Sequence, residues 1–159
     1  MARSAPWREL ASTSAVVSES KCSLVPKPHL VLLLTHFSHR NISERLQGPV
    51  QTNQRAELTA VLRALETIPD TQSCELRTDS QYTINCVTTW YKSWMKNGWR
   101  NSKGEDVSNQ DLIAAIRKKI ETREAKGTET KFVWVKGHGT DEGNIAADVL
   151  AVEGSRKMF

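Results

Sequence analysis

Apolar residues recur at helical spacing over residues 54–68, where Val61, Ala64, Leu65 and Ile68 fall on one stripe. Thr52 or Asn53 can cap the start of this helix, and Pro69 stops it. Glu57 stands four residues before Val61, so the same period carries a carboxylate onto the inward stripe near the helix start, where the peptide dipole favours an anion. Residues 74–79 alternate between turn-formers and read as a strand, which puts Asp79 at a strand's carboxyl end. Ser80 can cap a following helix that carries Ile84, Val87 and Tyr91 and is stopped by Asn97-Gly98. Ser108 with Asp111 three residues on is a capping-box variant. It opens a helix with Leu112, Ile113, Ile116 and Ile120 inside, closed by Lys126-Gly127. Residues 131–136 form another strand, which leads through the loop 137–143 into a last helix bearing Ala147, Leu150 and Ala151, with Asp148 inside it.

Before Gln51 the pattern thins. Residues 16–23, 30–37 and 41–46 are three candidate strands, separated by Pro26, Pro28 and a polar stretch around Ser38. Strands followed by mixed helices and strands argue an α/β or α+β domain built on a mixed sheet.

Composition narrows the class. A chain of 159 residues has room for one ordinary domain, and 38% apolar with 25% charged residues reads as a soluble globular protein. The longest apolar run, residues 30–34, is too short to cross a bilayer, so no membrane partner is expected. Lysine and arginine exceed acids by 22 to 18, which permits a polyanionic partner without demanding one. Cys22, Cys74 and Cys86 form neither an even disulfide set nor a CxxC pair, so a reducing intracellular compartment is expected, with nucleus, cytoplasm and mitochondrion undistinguished. The Asn41-Ile42-Ser43 triplet is an accidental glycosylation match in such a compartment. The Ser/Ala-rich first twenty residues, with Arg3 and Arg8, have a transit-peptide flavour that Glu9 and Glu19 oppose.

Three acids now stand out: Glu57 on a helix's inner face, Asp79 at a strand end and Asp148 in a later helix. An acid near an element end is most often a cap or a solvated residue. Hard divalent ions, however, take oxygen ligands gathered from several elements, and two ions sharing carboxylates activate water and stabilise the leaving oxygen of a phosphodiester. Three of the five tryptophans, Trp90, Trp94 and Trp99, are interleaved with Lys92, Lys96, Arg100 and Lys103. That pattern reads both as buried aromatics with solvated lysines and as a phosphate-tracking surface.

The strings Thr52-Asn53-Gln54-Arg55-Ala56-Glu57-Leu58, Thr78-Asp79-Ser80-Gln81-Tyr82, the stretch from Trp90 to Trp99, Trp134-Val135-Lys136-Gly137-His138-Gly139, Gly143-Asn144 and Ala147-Asp148 carry a further signal. In order and spacing they resemble the type 1 ribonuclease H family, with a eukaryotic flavour, over roughly two thirds of the chain. The resemblance implies an RNase H-like α/β fold, a five-stranded mixed sheet with its first three strands antiparallel and helices on both faces. It implies an endonuclease that hydrolyses the RNA strand of RNA/DNA hybrids with two metal ions, Mg²⁺ with Mn²⁺ as a substitute, acting as a monomer. Glu57, Asp79, Asp148 and His138 are then the catalytic residues, the three acids as metal ligands and His138, on a glycine-rich loop, assisting water activation or product release. Asn53 and Gln54 match residues that read the hybrid's minor groove, where 2′-hydroxyls suit amides that donate and accept, and Asn144 lies in the matching loop beside the final helix. Trp94 is expected to line the channel for the DNA strand and Trp90 to be core, with Lys96 and Arg100 on the family's basic protrusion. Thr52 and Asn109 match positions that hold a DNA phosphate, with Val50 where eukaryotic members often carry arginine.

The beginning departs from the family. Its first metal ligand is an aspartate in a Thr-Asp-Gly motif on strand one, and this chain has no aspartate before Asp70. The nearest fit puts Glu19 at the acid and Ser20 at the glycine, with Cys22 and Ser23 at the expected offset, and Leu24 and Val25 where a glycine-rich turn and a groove-reading asparagine would follow. Residues 1–39 are accordingly a divergent N-terminal segment and 40–159 the RNase H domain. Two classes of function follow, an impaired endonuclease and a catalytically silent binder of hybrids. A nuclease or integrase of the same general fold is a third, disfavoured by the match from Trp90 to Trp99.

Overall fold

A computed structural model describes residues 12–15, 42–137, 140 and 142–156. Strands β1 (Ser12–Ala15) and β2 (Ile42–Arg45) pair antiparallel, with Ala15 opposite Ile42 and Ser12 opposite Arg45. β2 falls inside the third candidate strand. β1 precedes the first, residues 16–23, which like residues 30–37 lies outside the described residues. Main-chain hydrogen bonds make this ladder, and they are blind to the side-chain alternation from which the candidates were read.

Helix α1 (Asn53–Thr67) begins where the Thr52 hydroxyl accepts the N–H of Arg55 at 3.2 Å, which settles the cap in favour of Thr52. It ends as Ile68 turns to an extended conformation before Pro69. Its buried side, Ala56, Leu58, Ala60, Val61, Ala64 and Leu65, is the expected stripe extended toward the helix start by Leu58 and two alanines. β3 (Cys74–Thr78) then runs parallel to β4 (Thr130–Trp134), with Cys74 opposite Thr130 and Thr78 opposite Trp134. Parallel strands need a long crossover. Here it consists of α2 (Gln81–Asn85), a π-helical turn (Cys86–Trp90), α3 (Tyr91–Lys96), a loop and α4 (Gln110–Ala125).

The π-helical turn changes the phase of the aromatic segment. The Tyr91 N–H bonds to Cys86 O, five residues back, so the residues after Val87 are rotated from the positions an α-helix would give them. Cys86 and Val87 are fully buried, yet Trp90 is 40% exposed, while Trp94 is half-buried and packs on the core. The expectation of Trp90 in the core is thereby corrected, and Trp94 is the more buried of the two.

α4 also starts differently from expectation. Its N-cap is Asn109 in the left-handed region (φ 60°), without a side-chain cap bond, and Ser108 takes no capping role. The Asp111 carboxylate that would complete a capping box is held instead by Arg55 of α1. Leu58, Leu65, Ile113 and Ile116 are wholly buried between α1 and α4, each contributing roughly 1.5–3 kcal/mol by leaving water. At the far end of α4, Arg123 is fully buried and donates to the carbonyls of Ile68, Pro69 and Gln72 and to Thr130 Oγ1, tying the α1–β3 connection to β4.

The last helix, α5 (Glu142–Arg156), packs against β1 and β2. Ser43 Oγ donates to Leu150 O at 2.7 Å, and at Gly154 a Cβ would stand 2.8 Å from Glu44 O, so the absence of a side chain there permits the close approach. Asn144 lies in the first turn of α5 and is buried, rather than in the preceding loop. No helix of the described residues is long and apolar enough to cross a membrane.

Candidate active site

Two of the singled-out acids lie near each other at the carboxyl end of β3, joined through Ser80. The period of α1 turns Glu57 inward, half-buried, and the hydroxyl of Ser80, the cap of α2, donates to its Oε2 in a close contact. The same Ser80 Oγ accepts the N–H of Thr83 at 3.2 Å and lies 3.0 Å from Thr83 Oγ1. Both hydroxyl residues are buried, so Glu57 is fixed in direction by groups that are themselves fixed. Loss of water raises its pKa above the ordinary carboxylate value, the neighbouring negative charge of Asp79 raises it further, and the two hydroxyls work against both. A cation between Glu57 and Asp79 would relieve both penalties.

Asp79 is the first residue past β3 and is seated from the side of β4. Trp134 Nε1 donates to its carbonyl at 3.0 Å, which the Gln81 N–H also meets at 3.1 Å, and Val135 N–H bonds to Thr78 O at 3.0 Å. Gly137 passes so close that a Cβ built there would stand 2.6 Å from Asp79 Oδ2. Asp148 lies half-buried on α5. Among the described residues no group of three or more His, Cys, Asp and Glu side chains is close enough to hold an ion, so Asp148 does not complete a cluster with the other two. Glu19 and His138 lie outside the described residues.

The flank beside this pair is polar and aromatic. Thr52, Asn53 and Gln54 are exposed around the start of α1. The guanidinium of Arg55 forks onto Asp111, Nη1 to Oδ1 at 3.0 Å and Nη2 to Oδ2 at 2.6 Å, and Nη1 also reaches Asn109 Oδ1 at 3.3 Å. The Arg55 hydrogen bond holds the Asp111 carboxyl below its ordinary range. Further along, Tyr82, Trp90, Trp94 and Trp99 form a row with successive centroid separations of 6.2, 5.9 and 6.4 Å. Trp90, Ser93, Trp94, Asn101 and Ser102 line an open groove of about 350 Å³, so Trp94 keeps a face toward it despite its partial burial. Lys92, Lys96 and Lys103, close in sequence to these lining residues, are exposed, and Arg100 pairs with Asp106 at 2.9 Å.

Ser80, Thr83, Trp134 and Gly137 act on the two acids although the sequence marks them only as a cap, a helix residue, a strand residue and a loop glycine. Only the adjacency of Ser80 to Asp79 was readable. The other contacts cross the fold, Glu57 to Ser80 over 23 residues and Trp134 to Asp79 over 55.

Comparison with known proteins identifies the family. The family model described as RNase H matches residues 16–156. Ribonuclease HI of Rickettsia prowazekii (strain Madrid E) is 37% identical over 145 residues, covering 90% of this chain and 91% of the relative. Ribonuclease H of Gluconobacter oxydans (strain 621H) is 40% identical over 110 residues, covering 69% and 70%. The solution structure of the PFV RNase H domain superposes with a TM-score of 0.53 at 26% identity, covering 69% of this chain and 67% of that one. The matched motifs, the fold and these relatives together show that the chain belongs to the ribonuclease H family.

Proposed function

We propose that the chain hydrolyses the RNA strand of RNA/DNA hybrids with divalent metal ions, at a reduced rate. The observation that carries this reading is that Ser80, next in the chain to Asp79 at the end of β3, binds the Glu57 carboxylate and so brings the two acids near each other, in a chain whose relatives are named ribonucleases H. Carboxylate oxygens fit a hard cation, and a half-buried Glu57 beside a second negative charge is the setting such an ion would stabilise. Glu57 and Asp79 would hold Mg²⁺, with Mn²⁺ as a substitute, together with Glu19 of the N-terminal segment and with Asp148, which would have to move in from α5 to join them. When bound, the ions supply an activated water and charge stabilisation at the leaving oxygen.

The chain's own residues orient the substrate. Asn53 and Gln54, exposed at the start of α1, offer amides that donate to and accept from 2′-hydroxyls in the minor groove. Trp90 and Trp94 line the groove and offer aromatic surface for stacking, and the exposed Lys92, Lys96 and Lys103, close to the lining residues in sequence, would serve phosphates of the DNA strand. Water attacks the phosphorus as its bond to the ribose oxygen breaks, and His138 moves a proton in that exchange or in product release. Glu19 in place of aspartate adds one methylene and carries its oxygens about 1.5 Å further along an extended side chain, against a ligand tolerance of about 0.2 Å, which is the reason for the reduced rate. We further propose a monomer working in a reducing intracellular compartment.

One observation favours a second reading, a silent hybrid binder: no aspartate precedes Asp70. A cleavage assay on a uniform hybrid, in Mg²⁺ and in Mn²⁺, beside duplex DNA and duplex RNA, separates the two. Cleavage confined to the RNA of the hybrid is expected. Tight hybrid binding without cleavage in either metal would establish the second reading, and equal cleavage of all three substrates would sink both.

A further inference from the structure

We propose that Arg55 is a positioning residue for a nucleic-acid phosphate, acting through Asn109 without touching the phosphate itself. The inference rests on the reading of Thr52 and Asn109 as phosphate contacts and deepens it.

Arg55 joins the starts of two long helices. Its main-chain N–H is accepted by Thr52 Oγ1 at 3.2 Å, the cap bond of α1, which any residue at this position would make. Its guanidinium, on a side chain only 22% exposed, reaches across to α4 and forks onto Asp111. The same Nη1 holds Asn109 Oδ1 at 3.3 Å. An asparagine at a helix start ordinarily turns its side-chain oxygen back onto the first amides of its own helix. Asn109 does not, and its backbone sits at φ 60°. With the oxygen held by Arg55, the other end of the amide is the donor end, and Nδ2 is 3.5 Å from the Tyr82 hydroxyl, the outer limit of a hydrogen bond. One Nδ2 hydrogen is therefore directed away from Arg55 and available to an anion.

The Arg55 guanidinium turns an amide that could present its oxygen into one that presents its hydrogens, which a phosphate requires. The arrangement also distinguishes positioning from direct contact. The charge of Arg55 is matched in a bidentate pair with Asp111, so it displaces no counterion from the nucleic acid, whereas an arginine bound to a phosphate would.

The test is binding of an RNA/DNA hybrid to the full chain in EDTA as a function of salt, with thermal melts to show that each variant is folded. Asn109→Ala should weaken binding about tenfold, the scale of one hydrogen bond to a charged group. Arg55→Gln with Asp111→Asn, which removes both charges together, should weaken it by a similar factor, add nothing in an Asn109→Ala background, and leave the slope of log K against log salt unchanged. Arg55→Lys keeps a cation and an ion pair but cannot hold both Asn109 and Asp111 with a planar fork, so it should reproduce the loss if the double variant fails to fold. A slope reduced by about 0.9, the mark of a lost phosphate contact, or losses that add to that of Asn109→Ala, would overturn the proposal. Unchanged binding by the Arg55 variants beside a weakened Asn109→Ala would overturn it alone. Unchanged binding by both Asn109→Ala and Thr52→Ala would remove the phosphate contact and the inference with it.

Discussion

Replacing Gly137 by alanine tests the seat of Asp79 without removing any charged or hydrogen-bonding group. The backbone of Gly137 is outside the left-handed region, so alanine fits its conformation, but the new Cβ would stand 2.6 Å from Asp79 Oδ2 and 3.4 Å from the Asp79 Cβ and Cγ. Cβ atoms essentially never sit closer than 3.0 Å to a neighbour, so the carboxylate must swing aside by at least 0.4 Å. Its terminal oxygen is the easily moved end of a half-buried side chain, so the cost in stability should be small, below about 1 kcal/mol. A metal ligand is held to within about 0.2 Å, and misplacement of about 1 Å can cost roughly 10²-fold in rate. Gly137→Ala should therefore melt within a few degrees of the parent and cleave hybrid about 10–100-fold more slowly, with hybrid binding in EDTA unchanged. An unchanged rate would show that the position of the Asp79 carboxylate does not matter to the reaction, and a collapse of the melting temperature would show that Gly137 is structural.

Asp79→Asn should abolish Mg²⁺-dependent cleavage and leave hybrid binding largely intact, measured by gel product and by titration, because it deletes a metal charge and no phosphate contact. Neutralising Lys96 and Arg100 should weaken binding to all hybrids alike and flatten the salt dependence, by up to roughly one unit of slope per lost contact; because Arg100 already pairs with Asp106, most of the change should come from Lys96. Glu19→Asp with Ser20→Gly should raise cleavage if the first strand delivers this side chain to the metals, and an unaltered rate would separate residues 1–39 from the site. Arg123→Met should cost about 3 kcal/mol in urea denaturation, since it leaves the buried acceptors around Ile68, Pro69 and Gln72 without their donor, and a loss under 1 kcal/mol would contradict that role.

What the sequence disclosed is what local physics determines. The stripe of α1, its stop before Pro69, Ser80 as the cap of α2 and the place of Asp79 past β3 all follow from spacing and cap chemistry, and the structure has each of them. Two failures have local triggers with non-local causes. Asp111 looks like half of a capping box, but Arg55, 56 residues away, offers a charged fork that outcompetes a neutral backbone amide. Trp90 falls on the stripe of Val87 if the helix is regular; one wide turn moves it out, and that turn is held by Arg117 of α4, whose Nη1 donates to Val87 O at 3.2 Å while its guanidinium stacks 4.1 Å from the Tyr91 ring. The site shows the same division. Its acids could be picked from their elements, while Trp134 and Gly137, which seat Asp79, belong to a strand and loop that meet β3 only through parallel pairing.

The central claim is metal-dependent hydrolysis of the RNA strand by a site that includes Asp79. The most direct measurement follows an RNA strand labelled at one end, annealed to DNA and incubated with the full chain in Mg²⁺, beside the same reaction with chelator and with Asp79→Asn. Shortened RNA with intact DNA in the first reaction alone is the predicted result. Equal cleavage by Asp79→Asn, or cleavage that persists under chelation, would contradict the account.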